Sequence, residues 1–510
     1  MIQGRFHVLW LAVIAVTLSS AFFLMDGRVE PNFADEGYLW HGMTALKAGQ
    51  VPIRDFHAYD PGRYCWVAAW SYLLGDGLVS MRISCVIFQC FGVWCGLLAL
   101  RRLTKDWRFL TLAGFVLVLW MIPTYKVFEQ AAGLMAIYAG VRLIESPRNR
   151  NFFLTGVFIG LMAILGRNHG VYQVGAFGLI TLFLSLDNWR LFLRRVLLCG
   201  TGIILGYLPQ LLMVVFIPGF FDALLASIAV IFSYGSNVPL PVPWPWRAMS
   251  EGYVINKVHV FVMGLIYMGL IAFVLLVILQ MRRLGWKQMG KYPVLLASAC
   301  ITICYIHFTF SRPDWVHLAH SVPLWIVGVL ALCFAFSSGV QRGLPVVVLC
   351  GLCVASLTSI FLARDVVTEL TASEGTFIEV NLRGQKMSTT TYKSDLLTIA
   401  HQMNRRTQPD ESLMFIPHIP GLYPAVGRLC PTQQSYYIIP MSLEKEEETI
   451  QSMKDKKVKW ILLQDIMLDG RQEHRFRHTN PMIYDYIQKN FEVVGEYPVL
   501  DNAFILRRKE

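Results

Sequence analysis

Charge is what this sequence has least of. Only 15% of its 510 residues are Asp, Glu, Lys or Arg, against 55% hydrophobic, and mean hydropathy is +0.48. That balance excludes a soluble globule, whose charged share is about a quarter. No Walker A motif, dinucleotide glycine fingerprint or zinc-protease pattern occurs, which argues against cytoplasmic nucleotide use. The eleven cysteines fall almost entirely in apolar runs, and Cys350-x-x-Cys353 lacks a second ligand pair. They read as small core residues. Cys65 and Cys430 lie outside the runs, and nothing in the sequence brings them within bonding reach. The net charge of +11 sits mostly in short loops between apolar runs, where Lys and Arg set topology. No nucleic-acid partner is expected.

What remains is a polytopic α-helical membrane protein. Crossing about 30 Å of hydrocarbon takes roughly 17 to 25 apolar residues, and about eleven candidate spans occur: 7–25, 80–100, 109–122, 127–144, 152–166, 171–186, 193–216, 257–281, 292–308, 317–337 and 344–362. The first has Arg5 ahead of its apolar run, as a signal peptide would, but Asp26-Gly27-Arg28 follows without a small-x-small cleavage site. It is expected to stay as a span. Basic clusters at 101–108, 148–150, 190–195 and 282–291 fall on alternate connections, which puts them and the N-terminus in the cytoplasm. The other connections face outward, and an odd number of spans sends the tail out as well. The expected division is a transmembrane module over 1–362, with outer loops 26–79 and 217–256, and an extracytoplasmic α/β domain over 363–510.

The first outer loop carries Trp40, Tyr59, Tyr64, Trp66 and Trp70 among short apolar stretches, which predicts helices lying at the membrane interface. The second holds Pro239, Pro241, Pro243 and Pro245 with Trp244 and Trp246, so no regular helix is expected there. It reads as an interfacial belt or as a lid. In the tail, spacing predicts helices at 393–406, 444–456 and 482–489 and strands at 413–416, 460–463 and around 491–507. The acidic run Glu444 to Glu448 reads as a solvated helix face.

The polar chemistry gathers on the outward connections. Asp35-Glu36 follows the first span; two carboxylates there are either a solvated pair, or a general base with a neighbour that orients it or holds a divalent cation. Arg63, Lys126, Arg167 and Arg312 are isolated cations on the side where the topology rule disfavours them. Each alone fits an ion pair or a lipid contact, and together they suit a phosphate. His169 and His317 are open to a structural role or to metal ligation beside Glu36.

The order of these motifs resembles the bacterial polytopic glycosyltransferases of the GT-C type, the group of protein mannosyltransferase-like and aminoarabinose transferase-like proteins. The resemblance rests on the acidic pair, then Val51 to Phe56 leading into Tyr59-Asp60-Pro61-Gly62-Arg63-Tyr64, Gly166-Arg167-Asn168-His169-Gly170, Arg312-x-Asp314-x-x-His317, and Phe415 to Tyr423 followed by Gly427-Arg428. It runs from about residue 5 to 440. It implies transfer of a sugar from a polyprenyl-phosphate carrier to an extracytoplasmic lipid, glycan or protein acceptor at a bacterial inner membrane, usually with inversion. It also implies Asp35 as base and Glu36 as its partner or a cation ligand. Arg63, Arg167, Arg312 and His317 would stabilise the departing lipid phosphate. His57, Tyr59, Tyr64, Lys126, His169, Asp314 and Tyr423 complete the expected donor and substrate contacts. The sequence departs from the family pattern at Asn168-His169, where an acid is often found, and the tail is not clearly any one family's domain; both leave the acceptor open. Two alternatives remain. A glycan polymerase or ligase would lean on Arg and His without needing the acidic pair. A lipid-linked oligosaccharide flippase would need polar groups at mid-membrane or repeated broken helices.

Overall fold

The computed structural model describes residues 2–234, 240–250, 254–336, 343–361, 364–437, 440–467, 471–500 and 502–509. Its helices, in chain order, are α1 (Ile2–Asp26), α2 (Asp35–Lys47), α3 (Pro61–Leu74), α4 (Leu78–Leu100), α5 (Trp107–Leu119), α6 (Val127–Glu145), α7 (Asn149–Leu165), α8 (Arg167–Phe183), α9 (Trp189–Phe216), α10 (Phe220–Tyr234), α11 (Val254–Leu284), α12 (Trp286–Met289), α13 (Pro293–Ser311), α14 (Trp315–Phe336), α15 (Leu344–Ser356) and α16 (Asp365–Thr371). Each of the eleven expected spans is helical. Among the described residues, eight helices are long and apolar enough to cross a membrane. The other three, α5, α7 and α8, have 13, 17 and 17 residues and reach about 20 to 26 Å at 1.5 Å per residue.

The chain divides into two compact units. The first comprises Met1–Gly27, Ile83–Phe216 and Val238–Thr368; the second comprises Arg28–Arg82, Ile217–Asn237 and Glu369–Glu510. Residues 28–82 thus fold with the tail.

In the first unit, α6, α13 and α14 form the buried centre, while α9 is largely lipid-facing. Helices α7 and α9 approach backbone to backbone through Gly156 and Gly160 on one and Gly202 and Gly206 on the other. A Cβ at Gly156 would lie 2.0 Å from the Cys199 carbonyl oxygen, and one at Gly202 would lie 2.2 Å from that of Phe153. Small residues four apart permit this approach where apolar burial cannot drive helices together in lipid. The end of α1 is tied back by an ion pair between Asp26 and Arg364.

The second unit contains a β-hairpin, β1 (Phe377–Leu382) with β2 (Gln385–Thr390), turned by Arg383 and Gly384, both at positive φ. That is the backbone a two-residue hairpin turn requires. The hairpin was not foreseen in the sequence. After it come α17 (Thr391–Arg406), β3 (Ser412–Ile416), α18 (Leu422–Val426), α19 (Leu443–Asp455), β4 (Val458–Gln464), α20 (Phe476–Thr479), α21 (Pro481–Asn490), β5 (Phe491–Tyr497) and β6 (Ala503–Arg508). The sheet runs β3-β4-β6-β5, with β3 parallel to β4 and the rest antiparallel. Alternate residues Met414 and Ile416 of β3, and Ile461 and Leu463 of β4, enter one core with Ile483 and Ile487 of α21, as period-two patterning demands. This is the expected small α/β fold.

One expectation needs correction. The 217–256 segment does contain a regular helix, α10, because the prolines of 239–245 all come after it: Pro241 and Pro243 lie in chain without regular structure and Pro245 opens a 3-10 turn. Pro239 lies outside the described residues. In the first loop, nine of the thirteen residues of α2 are buried, and tail segments cover part of it. Gly37 marks how close they come: a Cβ there would lie 2.4 Å from the Gly421 nitrogen. Glu30 fastens the loop at its other end, accepting from the Thr390 amide at 2.9 Å and the Thr389 hydroxyl at 3.1 Å and pairing with Lys393 at 2.6 Å.

Candidate active site

Asp35 and Glu36 occupy the first turn of α2, where the exposed N–H groups of a helix start favour negative charge. Being adjacent, they point apart, and their surroundings differ. The Asp35 side chain keeps 30% of its exposure. Its Oδ1 accepts a hydrogen bond from the Tyr436 hydroxyl, and His418 Nε2 stands 3.9 Å from the same oxygen. Further aromatic rings pack behind Tyr436. Tyr38 lies 5.3 Å from Tyr436 and 5.1 Å from Tyr59 between ring centres, and its hydroxyl is 2.7 Å from His57 Nδ1. The Arg63 guanidinium sits 4.6 Å over the Tyr59 ring. Burial holds the Tyr38 phenol well above its ordinary pKa, so it stays a neutral hydroxyl at any working pH.

Glu36 is 1% exposed and forms a two-pronged ion pair with Arg82, Nε to Oε1 at 2.6 Å and Nη2 to Oε2 at 2.7 Å. The Asn32 amide donates to Oε2 at 3.1 Å. Arg82 spends its other donors on the carbonyls of Val29 and Glu30. Both oxygens of Glu36 are therefore occupied by protein, which corrects the reading of this residue as a cation ligand. Among the described residues, no group of three or more His, Cys, Asp or Glu is arranged to hold a metal. The donor set does not fit a divalent cation, and no step below runs through one.

Tyr64 and Tyr423 are also corrected. Both are 0% exposed, and their hydroxyls accept from the backbone N–H groups of Tyr59 and Phe415 at 3.1 and 3.0 Å. They are core residues that shape the chain around the site.

One turn further along α2, His41 accepts the Cys430 amide at 3.3 Å through Nε2, and its Nδ1 has no hydrogen-bond partner. Burial pushes this imidazole down to about 4. A lowered pKa means the unfolded chain takes up protons first, so stability is whole above about 6.5 and is lost as pH falls toward about 4. The expected loss is roughly 3 kcal/mol. Melting temperature measured from pH 7.5 to 4.5 should fall clearly less in His41→Gln, which keeps an acceptor for Cys430 and does not titrate.

In the first unit, Asp314 accepts from His317 at both the backbone amide and Nδ1, each at 2.8 Å, and pairs with Arg312 at 2.9 Å. Burial works to raise the Asp314 carboxyl, but the hydrogen bonds and charges of His317 and Arg312 outweigh it and hold it below its usual value. The ring of the buried His320 lies 5.4 Å from that of His317. His169 Nδ1 is 3.2 Å from the Tyr305 hydroxyl. Arg167 opens α8 two residues ahead of His169. The structure thus groups Lys126, His169, Asp314 and His317 in one unit and Asp35, His57, Tyr59 and Arg63 in the other. Sequence reasoning missed Tyr436, His320 and Arg82. A tyrosine in an unpatterned loop and an arginine inside an apolar run carry no local signal of their partners.

Fold and site together define an integral membrane protein with a GT-C-like fold. Its particular likeness is to ArnT from Cupriavidus metallidurans. The apo structure of that protein aligns with a TM-score of 0.54 at 12% identity over 99% of this chain and 98% of that one. Its structure bound to undecaprenyl phosphate aligns with 0.53 at 12% over 98% and 97%. By sequence, no family model and no curated protein matches the chain. The fold is the one the motif order implied.

Proposed function

We propose that the chain is an inverting glycosyltransferase that moves a sugar from a polyprenyl-phosphate carrier to an acceptor hydroxyl on the outer face of a bacterial inner membrane. The observation that carries this reading is Asp35: a part-exposed carboxylate set at a helix start among aromatic rings, beside a neighbour wholly spent on structure. The ArnT structure with undecaprenyl phosphate supports the carrier class. In the reaction Asp35 takes the acceptor's proton as the acceptor oxygen attacks the anomeric carbon. The bond from that carbon to the phosphate oxygen breaks, and its electron pair leaves with the lipid phosphate. A departing phosphate needs charge more than a proton, the role proposed for Arg63, Arg167, Arg312 and His317, with Lys126 and His169 as further donor contacts. Asp314 acts by orienting His317 and Arg312. His57 and Tyr59, which pack on Tyr38, serve as sugar contacts, and Glu36 acts by positioning. The N-terminus lies in the cytoplasm, and residues 363–510 lie outside, where they receive the acceptor.

The test is transfer of radiolabelled sugar from a panel of polyprenyl-phosphate sugars into a membrane extract by the purified, reconstituted protein. Label reaching an acceptor supports the reading and identifies the sugar. Lipid-linked sugar that crosses the bilayer unchanged would sink it in favour of a flippase, and growth of a repeating chain would favour a polymerase.

A further inference from the structure

The Asp35 carboxylate is contacted by two side chains about four hundred residues away in sequence: His418, inside the Phe415 to Tyr423 motif, and Tyr436, which belongs to no motif of the proposed site. Tyr436 donates its hydroxyl hydrogen to Asp35 Oδ1. His418 approaches the same oxygen, and its ring lies 4.1 Å from the Tyr436 ring at 66°, which fixes the plane of the phenol. Tyr38 closes the other side of that ring at 5.3 Å. The titratable side chains that meet Asp35 include Tyr436 and His418 from the tail; Tyr38 packs on Tyr436, and His57 and Tyr59 pack on Tyr38. Glu36 is consumed by Arg82, and the Arg63 guanidinium is stacked on Tyr59.

We propose that Tyr436 is a positioning residue for proton transfer: its hydrogen bond to Oδ1 locks the Asp35 carboxylate so that Oδ2 receives the acceptor hydroxyl's proton. This inference rests on the reading of Asp35 as the base. The Tyr436 proton stays where it is throughout; the proton that moves goes from acceptor oxygen to Oδ2 as the sugar–phosphate bond breaks. A carboxylate on a rotatable side chain has competing rotamers, in which neither oxygen meets a substrate. One fixed hydrogen bond from a ring that is itself wedged removes those alternatives, and orientation is worth large factors in rate. The bond also favours the ionised carboxylate, so Tyr436 sets the pH at which the base becomes available.

Tyr436→Phe keeps the ring contacts with His418 and Tyr38 and deletes only the donor. In the reconstituted full-length protein, with polyprenyl-phosphate sugar as donor, kcat should fall by about 10- to 100-fold with donor KM within about twofold of wild type. The acidic limb of the pH–rate profile should move to higher pH, a change that a packing defect would not produce. Difluorotyrosine placed at position 436 keeps the shape and strengthens the donor, and should move the limb the opposite way. This second variant keeps the test decisive if Tyr436→Phe folds poorly. Unchanged kcat and an unmoved acidic limb in a folded variant would overturn the assignment of Tyr436 and leave the glycosyltransferase reading standing. A wild type that transfers no sugar from any polyprenyl-phosphate donor overturns both, and that result appears before any variant is made.

Discussion

Asp35→Asn is expected to cut sugar transfer by a factor of roughly 10³ while melting temperature and binding of polyprenyl phosphate stay near wild type. The contrast follows from how Asp35 is held. Asparagine keeps a carbonyl oxygen to accept the Tyr436 hydroxyl, fills the same volume and sits at a helix start, where it is well tolerated. The residue is part-exposed, so no buried charge is stranded by the change. What disappears is the capacity to take a proton, and a general base contributes through that alone. The check is single-turnover transfer alongside carrier-phosphate binding. Comparable turnover by Asp35→Asn would remove the carboxylate from the chemistry.

Its neighbour should behave in the opposite way. Glu36→Ala or Arg82→Met alone leaves one buried charge without its partner, at a cost of about 3 to 5 kcal/mol, so each variant should melt far below wild type and express poorly. Glu36→Leu combined with Arg82→Met removes both charges and should regain most of that loss, because replacing a buried pair by apolar side chains of similar volume is close to neutral. Some deficit should persist, since the carbonyls of Val29 and Glu30 also lose their donors. Melting curves of the two single variants and the double variant measure the coupling. A double variant no more stable than either single one would mean that the ion pair is not what holds α2 in place. Two adjacent acids would then be separated experimentally, one by rate and the other by stability.

Much of the fold was legible because lipid imposes simple rules. Apolar runs of span length became helices, and the strand and helix periods of the tail became β3, β4, β5, β6, α17, α19 and α21 within a few residues. The β1–β2 hairpin was missed because its strands, Phe377–Leu382 and Gln385–Thr390, are half polar and only three of their twelve residues are buried, so no clear apolar alternation betrays them. Asp35 stood out as an acid just past a span. Its partner Tyr436 did not, nor did Arg82, the partner of Glu36, because nothing near either in sequence says which acid it faces. Tyr64 and Tyr423 misled for the converse reason: a conspicuous motif tyrosine looks the same in sequence whether its hydroxyl meets a substrate or a backbone amide. Glu36 looked like chemistry and proved to be architecture, since its counter-ion lies 46 residues away inside a segment read only as a span.

The folding of residues 28–82 together with the tail has a consequence for the order of events during synthesis. The acid at position 35 is made about four hundred residues before the tyrosine that faces it. While those residues are being added the loop waits without the segments that bury α2, with Glu36 and Arg82 able to meet but Gly37 uncovered. A chain that stops before the tail segments therefore presents an unfinished loop, with α2 exposed.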